Sequence, residues 1–176
     1  MPSAKAYGIQ LAKMCEALIE QGVELELCIP KMRHAQVSLK EFYGLRVEVP
    51  TRTFLSFDWY DRGSAGFIAS SLIFMASVCL YLMRRGRSAL IYTIDMDSHS
   101  FAPLALLFAP IAVEMHSPKT SSFFTRFFFK RAGCIITTNP LIKDKLIAVF
   151  GLAPERFIVE PNGVDPRAFD VPTARE

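Results

Sequence analysis

Charge is scarce in this sequence. Of 176 residues, 21% are Asp, Glu, Lys or Arg, and 20 basic against 17 acidic side chains leave a net +3. So small an excess lacks the electrostatic footprint of a nucleic-acid-binding protein, and no nucleic-acid partner is expected. Histidine is rarer, with three residues, and the four cysteines (Cys15, Cys28, Cys79 and Cys134) lie far apart with no Cys-x-x-Cys. That spacing indicates small buried thiols of a reducing compartment, and neither a disulfide framework nor a metal site. Three glycine signatures are also missing: Gly-x-Gly-x-x-Gly, a Gly-Lys-Ser/Thr loop and Gly-x-Ser-x-Gly. Dinucleotide oxidoreductases, P-loop hydrolases and α/β-hydrolases therefore lack their marks. The start, Met-Pro-Ser-Ala-Lys-Ala-Tyr-Gly, has no basic stretch leading into an apolar run. Without a signal peptide, a cytoplasmic location is the expectation.

Apolar residues are abundant instead, at 51% of the chain, with a mean hydropathy of +0.26. Their periodicity predicts an alternation of helices and short strands. A helix runs from Ser3 with Leu11, Met14, Cys15, Leu18 and Ile19 as its apolar stripe, Lys13, Glu16 and Glu20 opposite, and Gly22 as its stop. Strands follow over 23–29 and 45–49, then a loop over 51–66 carrying Phe54, Phe57, Trp59 and Tyr60. Helices are predicted over 67–83, 99–108, 120–131 and 140–150, and strands over 90–94, 111–116, 134–138 and 157–160. Asn139, Pro140 and Gly151 are cap, first turn and stop of the last helix. The expected fold is α/β, a Rossmann-like parallel sheet with helices on both faces. A domain over residues 1–170 and a tail over 171–176 are expected.

Two helices raise the membrane question. The run over 67–83, flanked by Arg84, Arg85 and Arg87, falls short of the roughly 20 apolar residues of a span. It also contains Ser70, Ser71 and Ser77, so a buried or interfacial helix is preferred. In the helix over 120–131, Phe123, Phe124, Phe127 and Phe128 form a stripe that Phe129 widens, beside Arg126, Lys130 and Arg131. It reads either as a core-facing amphipathic helix or as one that lays phenylalanines into lipid and cations on anionic headgroups.

Ligands of open parallel sheets bind beyond the carboxyl ends of the strands. That rule selects Asp95, Asp97, Glu114, His116 and Asn139. His116 ends a strand before Ser117-Pro118-Lys119-Thr120-Ser121-Ser122, a loop able to offer backbone N–H groups to an anion at a helix start. From the residues alone, a structural histidine is the simpler reading of His116. Glu114, two residues earlier on the same face, would orient the imidazole or accept hydrogen bonds from neighbouring strands.

Three segments carry a resemblance: Val113-Glu-Met-His116, Ala132-Gly-Cys-Ile-Ile-Thr-Thr-Asn139, and Phe157-Ile-Val-Glu-Pro-Asn-Gly-Val-Asp165 with Phe169. Together they resemble the N-terminal half of a retaining family-four glycosyltransferase of the GT-B fold. The opening Pro-Ser-Ala-Lys-Ala-Tyr-Gly-Ile-Gln-Leu is similar to that family's first helix, which follows a first strand not found here. The resemblance implies two Rossmann-like domains with the active site between them. The N-terminal one takes the acceptor, and the other, with its Glu-x7-Glu motif, takes a nucleoside-diphosphate sugar. His116 matches the cleft histidine near the reacting centre, and His116 with Glu114 are the catalytic candidates. Lys5, Tyr7, Gly8 and Gln10 fall on the acceptor side, and Asn162, Gly163 and Asp165 on the loop towards the donor domain. A basic residue that the family often carries before the aspartate of its Tyr-Thr-x-Asp strand end is Ile94 here, which counts against Asp95.

The implied reaction moves a sugar from a nucleoside-diphosphate donor to a hydroxyl acceptor with retention, needing no metal or further cofactor. Partners would be the nucleotide sugar, a glycan or lipid-linked acceptor, the donor domain and a membrane surface. The location would be cytoplasmic, peripheral at the inner face of the cell membrane. This chain alone would be inactive. A rival reading is a non-catalytic module, membrane-associated, that holds a ligand or partner.

Overall fold

The structure, a computed structural model, describes residues 6–31, 38–85, 89–94 and 101–163. Its packing divides into two compact units, Met1–Gly86 with His99–Leu107 and Arg87–Ser98 with Phe108–Glu176.

The first unit holds α1 (Ala6–Glu20), β1 (Leu27–Pro30), α2 (Leu39–Tyr43), β2 (Thr51–Phe54), α3 (Gly63–Arg85) and a 3-10 turn at Ala102–Leu106. Helix α1 matches its expected course, although Ser3 lies outside the described residues. Gly22 stops it at φ 81°, a left-handed conformation that glycine adopts without steric cost. β1 and β2 are parallel, with Leu27 opposite Thr51 and Pro30 opposite Phe54. The core of this unit joins Ala12 and Cys15 of α1 to Leu45 and Val49.

Several expectations are corrected here. No strand forms over 45–49; Leu45 and Val49 are buried, but as irregular chain. The strand lies at 51–54, inside the expected loop, because pairing begins when the Pro50 carbonyl accepts the Leu27 N–H at 2.8 Å. β1 likewise starts at Leu27, not at Val23. Glu16, read as part of the polar side of α1, is only 2% exposed. Its carboxylate meets Lys13 Nζ of the same helix at 3.0 Å and accepts the backbone N–H of Arg46, the partner that the turn folding over α1 supplies. Burial opposes the charge on Glu16, but the Arg46 N–H, Lys13 and the Arg46 side chain outweigh it and hold the carboxyl below the usual carboxylate range.

α3, with 23 residues, is longer than expected and is long and apolar enough to cross a membrane by length and composition. Its buried face is Gly66, Ser70, Ser71, Met75 and Val78, while Ile68, Leu72, Leu80 and Met83 are exposed. Small and hydroxylic residues face inward because the 55–62 loop lies against them. Trp59 N–H donates to Ser70 Oγ at 3.3 Å and Ser56 Oγ to the Ser70 carbonyl at 3.2 Å. The helix expected over 99–108 is the 3-10 turn Ala102–Leu106 in its described part.

The second unit is a four-stranded parallel sheet in the order β3-β4-β5-β6: Ile91–Ile94, Ile111–Met115, Cys134–Thr137 and Phe157–Val159. α4 (Phe123–Arg131) connects β4 to β5, and α5 (Pro140–Phe150) lies between β5 and β6. Val113, Met115, Ile135, Phe128, Phe129 and Leu146 are almost wholly buried. α5 keeps its expected bounds, with Asn139 Oδ1 accepting from Ile142 N–H at 3.0 Å and Gly151 at φ 65°. α4 starts at Phe123, not at 120, because Ser122 caps it. At its other end the Arg156 guanidinium donates to the carbonyls of Phe129 and Ala132, satisfying acceptors that a helix end leaves open. The expected α/β class is thus observed: parallel sheets flanked by helices.

Candidate functional site

Alternation along β4 divides its residues between two faces. Ile111, Val113 and Met115 point to the dry face, while Ala112 and Glu114 share the other. His116, one residue past the strand end, continues that second face. Its Nε2 lies 2.7 Å from Glu114 Oε1, with the two side chains 18% and 12% exposed. Neutral imidazole that donates from Nε2 carries no proton on Nδ1. β3 runs beside β4 with Tyr92 opposite Ala112 and Ile94 opposite Glu114. That register puts Tyr92 on the same face, and its hydroxyl donates to Glu114 Oε2. Tyr92 was not legible as a site residue, because its strand partner follows from register and not from sequence spacing.

The loop after His116 is partly committed to structure. Lys119 Nζ donates to Ser117 Oγ at 3.3 Å. Ser122 Oγ accepts from Thr125 N–H at 3.1 Å, and Thr125 Oγ1 accepts from Ser122 N–H at 2.8 Å. This capping box takes up two of the N–H groups expected to face an anion. Asn139 is likewise engaged as the cap of α5.

Gly8 and Gln10 are part-buried in the first turns of α1, in the other unit. Of Tyr7 only its place in α1 is described, and Lys5, Asp95, Asp97 and Asp165 lie outside the described residues. Asn162 and Gly163 are exposed beyond β6. The structure therefore joins Glu114 to His116, and adds Tyr92.

The phenylalanine stripe of α4 is split, which corrects its reading as one face. Phe128 and Phe129 belong to the core, whereas Phe123 is 78% and Phe124 46% exposed. Phe127 is half-buried, its ring parallel to that of Phe123 at 6.5 Å. Arg126 also serves the fold, donating to Ser121 Oγ at 2.7 Å and to the Val149 carbonyl at 3.3 Å. Lys130 and Arg131 are exposed.

A parallel sheet with polar side chains gathered at the carboxyl end of an interior strand defines a Rossmann-like α/β domain, in the place where such sheets bind ligands. Residues 8–168 match the model of Glycosyltransferase Family 4. The chain belongs to that family, and its domain is of the glycosyltransferase type. No curated protein matches it.

Proposed function

We propose that this domain forms the acceptor side of an enzyme that transfers a sugar from a nucleoside diphosphate to a hydroxyl with retention of configuration. The observation that supports it is the Glu114–His116 pair at the mouth of β4. Glu114 fixes the plane of the imidazole, so His116 presents a set ring edge to a sugar lying over the strand end. A ring held in advance stabilises charge that develops as the diphosphate departs and the sugar gains oxocarbenium character, without reorganisation at the moment of reaction. In this proposal a second domain holds the nucleoside diphosphate, and the reaction needs no metal.

The acceptor is a glycan or a lipid-linked glycan, and the enzyme works on the cytoplasmic side, against the membrane surface. The exposed rings of Phe123 and Phe124, with the cations Lys130 and Arg131, support that location.

The test pairs saturation-transfer NMR on the purified chain, against a panel of glycans and of nucleoside-diphosphate sugars, with a transfer assay. The expected result is glycan binding and no turnover. Sugar transfer by the chain alone would overturn the division of labour. Glycan binding with no transfer by the natural gene product would favour a non-catalytic binding module.

A further inference from the structure

The Glu114 carboxylate has two oxygens, and each is taken by a different side chain. Oε1 lies 2.7 Å from His116 Nε2, and Oε2 accepts the hydroxyl proton of Tyr92. A carboxylate anchored at one oxygen still turns about its terminal torsion, which is broad and two-fold. Anchored at both, it has one plane to offer its partner. Tyr92 provides that second anchor from the neighbouring strand, two residues before the end of β3 and on the same sheet face. It is 37% exposed, while the sheet's other face holds the fully buried Val113, Met115 and Ile135. A phenylalanine would cover the same surface and would lack the bond to Glu114.

We infer that Tyr92 is a positioning residue, acting through Glu114 to hold His116 in one orientation and one tautomer. The inference rests on the role proposed for His116. With Tyr92 and His116 both donating, Glu114 accepts at each end, and the imidazole keeps its proton on Nε2. Nδ1 then carries no proton. Removing the hydroxyl frees the carboxylate to rotate, and the two neutral tautomers become closer in population.

The direct readout is the long-range proton–nitrogen spectrum of the histidines in the nitrogen-15-labelled chain, at about pH 8. The wild type is expected to show His116 with its proton on Nε2. In Tyr92→Phe the ratio of the Nε2–H to the Nδ1–H form is expected to fall about tenfold, the scale of one hydrogen bond to a charged group. His34 and His99 report whether the change is local. An unchanged ratio at His116 would overturn the inference. A second measurement needs no variant: the Tyr92 hydroxyl proton in the wild type should exchange slowly with water, and exchange at the rate of a free phenol would also overturn it. In the natural gene product, Tyr92→Phe should lower kcat about tenfold with KM within about twofold. A shifted tautomer with kcat unchanged would overturn the positioning role. Absence of transfer in the wild type would overturn the proposed function and leave the tautomer result standing.

Discussion

Glu114 and His116 are two residues apart at one strand end and hydrogen-bonded to each other, Oε1 to Nε2 at 2.7 Å. The pair exists because a strand returns to the same face every second residue, and because the strand ends before His116. It sits on the less buried side of a sheet whose opposite side is packed with Val113, Met115 and Ile135. The scaffold is buried where the pair is anchored, and the pair itself is part-exposed. Glu114→Ala is expected to keep the chain folded and to lower transfer by the natural gene product about tenfold to a hundredfold. Steady-state kinetics together with far-ultraviolet circular dichroism check this. A variant that folds and transfers at the wild-type rate would show that the carboxylate does not serve His116.

Gly66 is required where α3 meets the preceding loop. A Cβ there would overlap the Trp59 carbonyl oxygen and stand 2.9 Å from Arg62 Cβ. Gly66→Ala is expected to destabilise the protein by about 1–3 kcal/mol, the scale of overpacking in a tight contact. Denaturant unfolding measures it. A gain of about 1 kcal/mol, the helix-propensity advantage of alanine over glycine, is the opposite result.

Glu16 gives the protein a pH dependence of known sign. Its folded-state carboxyl lies below the usual range despite burial, through the Arg46 N–H and the Lys13 and Arg46 cations. A group whose folded value is depressed stabilises the protein above its unfolded value, and loses that contribution as the pH falls through the folded one. Glu16→Gln is expected to cost about 1–3 kcal/mol at about pH 7, and the difference from wild type should shrink towards about pH 3. Thermal unfolding across that range is the measurement. A constant difference would mean that packing, and not charge, carries the effect.

The exposed start of α4 makes a membrane prediction. Phe123 and Phe124 project from its first turn, and Lys130 and Arg131 are exposed in its last. The chain should float with vesicles rich in phosphatidylglycerol and not with neutral phosphatidylcholine vesicles. The double change Phe123→Ser, Phe124→Ser should weaken that flotation about tenfold or more, since each buried ring contributes about 1.5–3 kcal/mol. Equal flotation of wild type and variant would remove α4 as the contact.

What could be read in advance depended on how local the signal was. α5 was legible to the residue because Asn139, Pro140 and Gly151 act within a turn of where they stand. The strand at 51–54 was not, because Pro50 looked like an ending and in the fold its carbonyl begins the pairing with Leu27. Glu16 looked like solvated charge, and only the return of the chain at Arg46 shows it buried and paired. The same holds at the site. Glu114 and His116 share a face by spacing alone, whereas Tyr92 joins them only through the register of β3 against β4. The split of the phenylalanines in α4 was hidden too, since Phe128 and Phe129 are both wholly buried although they are adjacent on the helix.

The most direct test of the account is sugar transfer by the natural gene product from labelled nucleoside-diphosphate sugars, wild type against His116→Ala. Transfer with retention is expected in the wild type, and a fall in kcat of about a hundredfold or more in a variant that still folds. Transfer at an equal rate without the imidazole would contradict it.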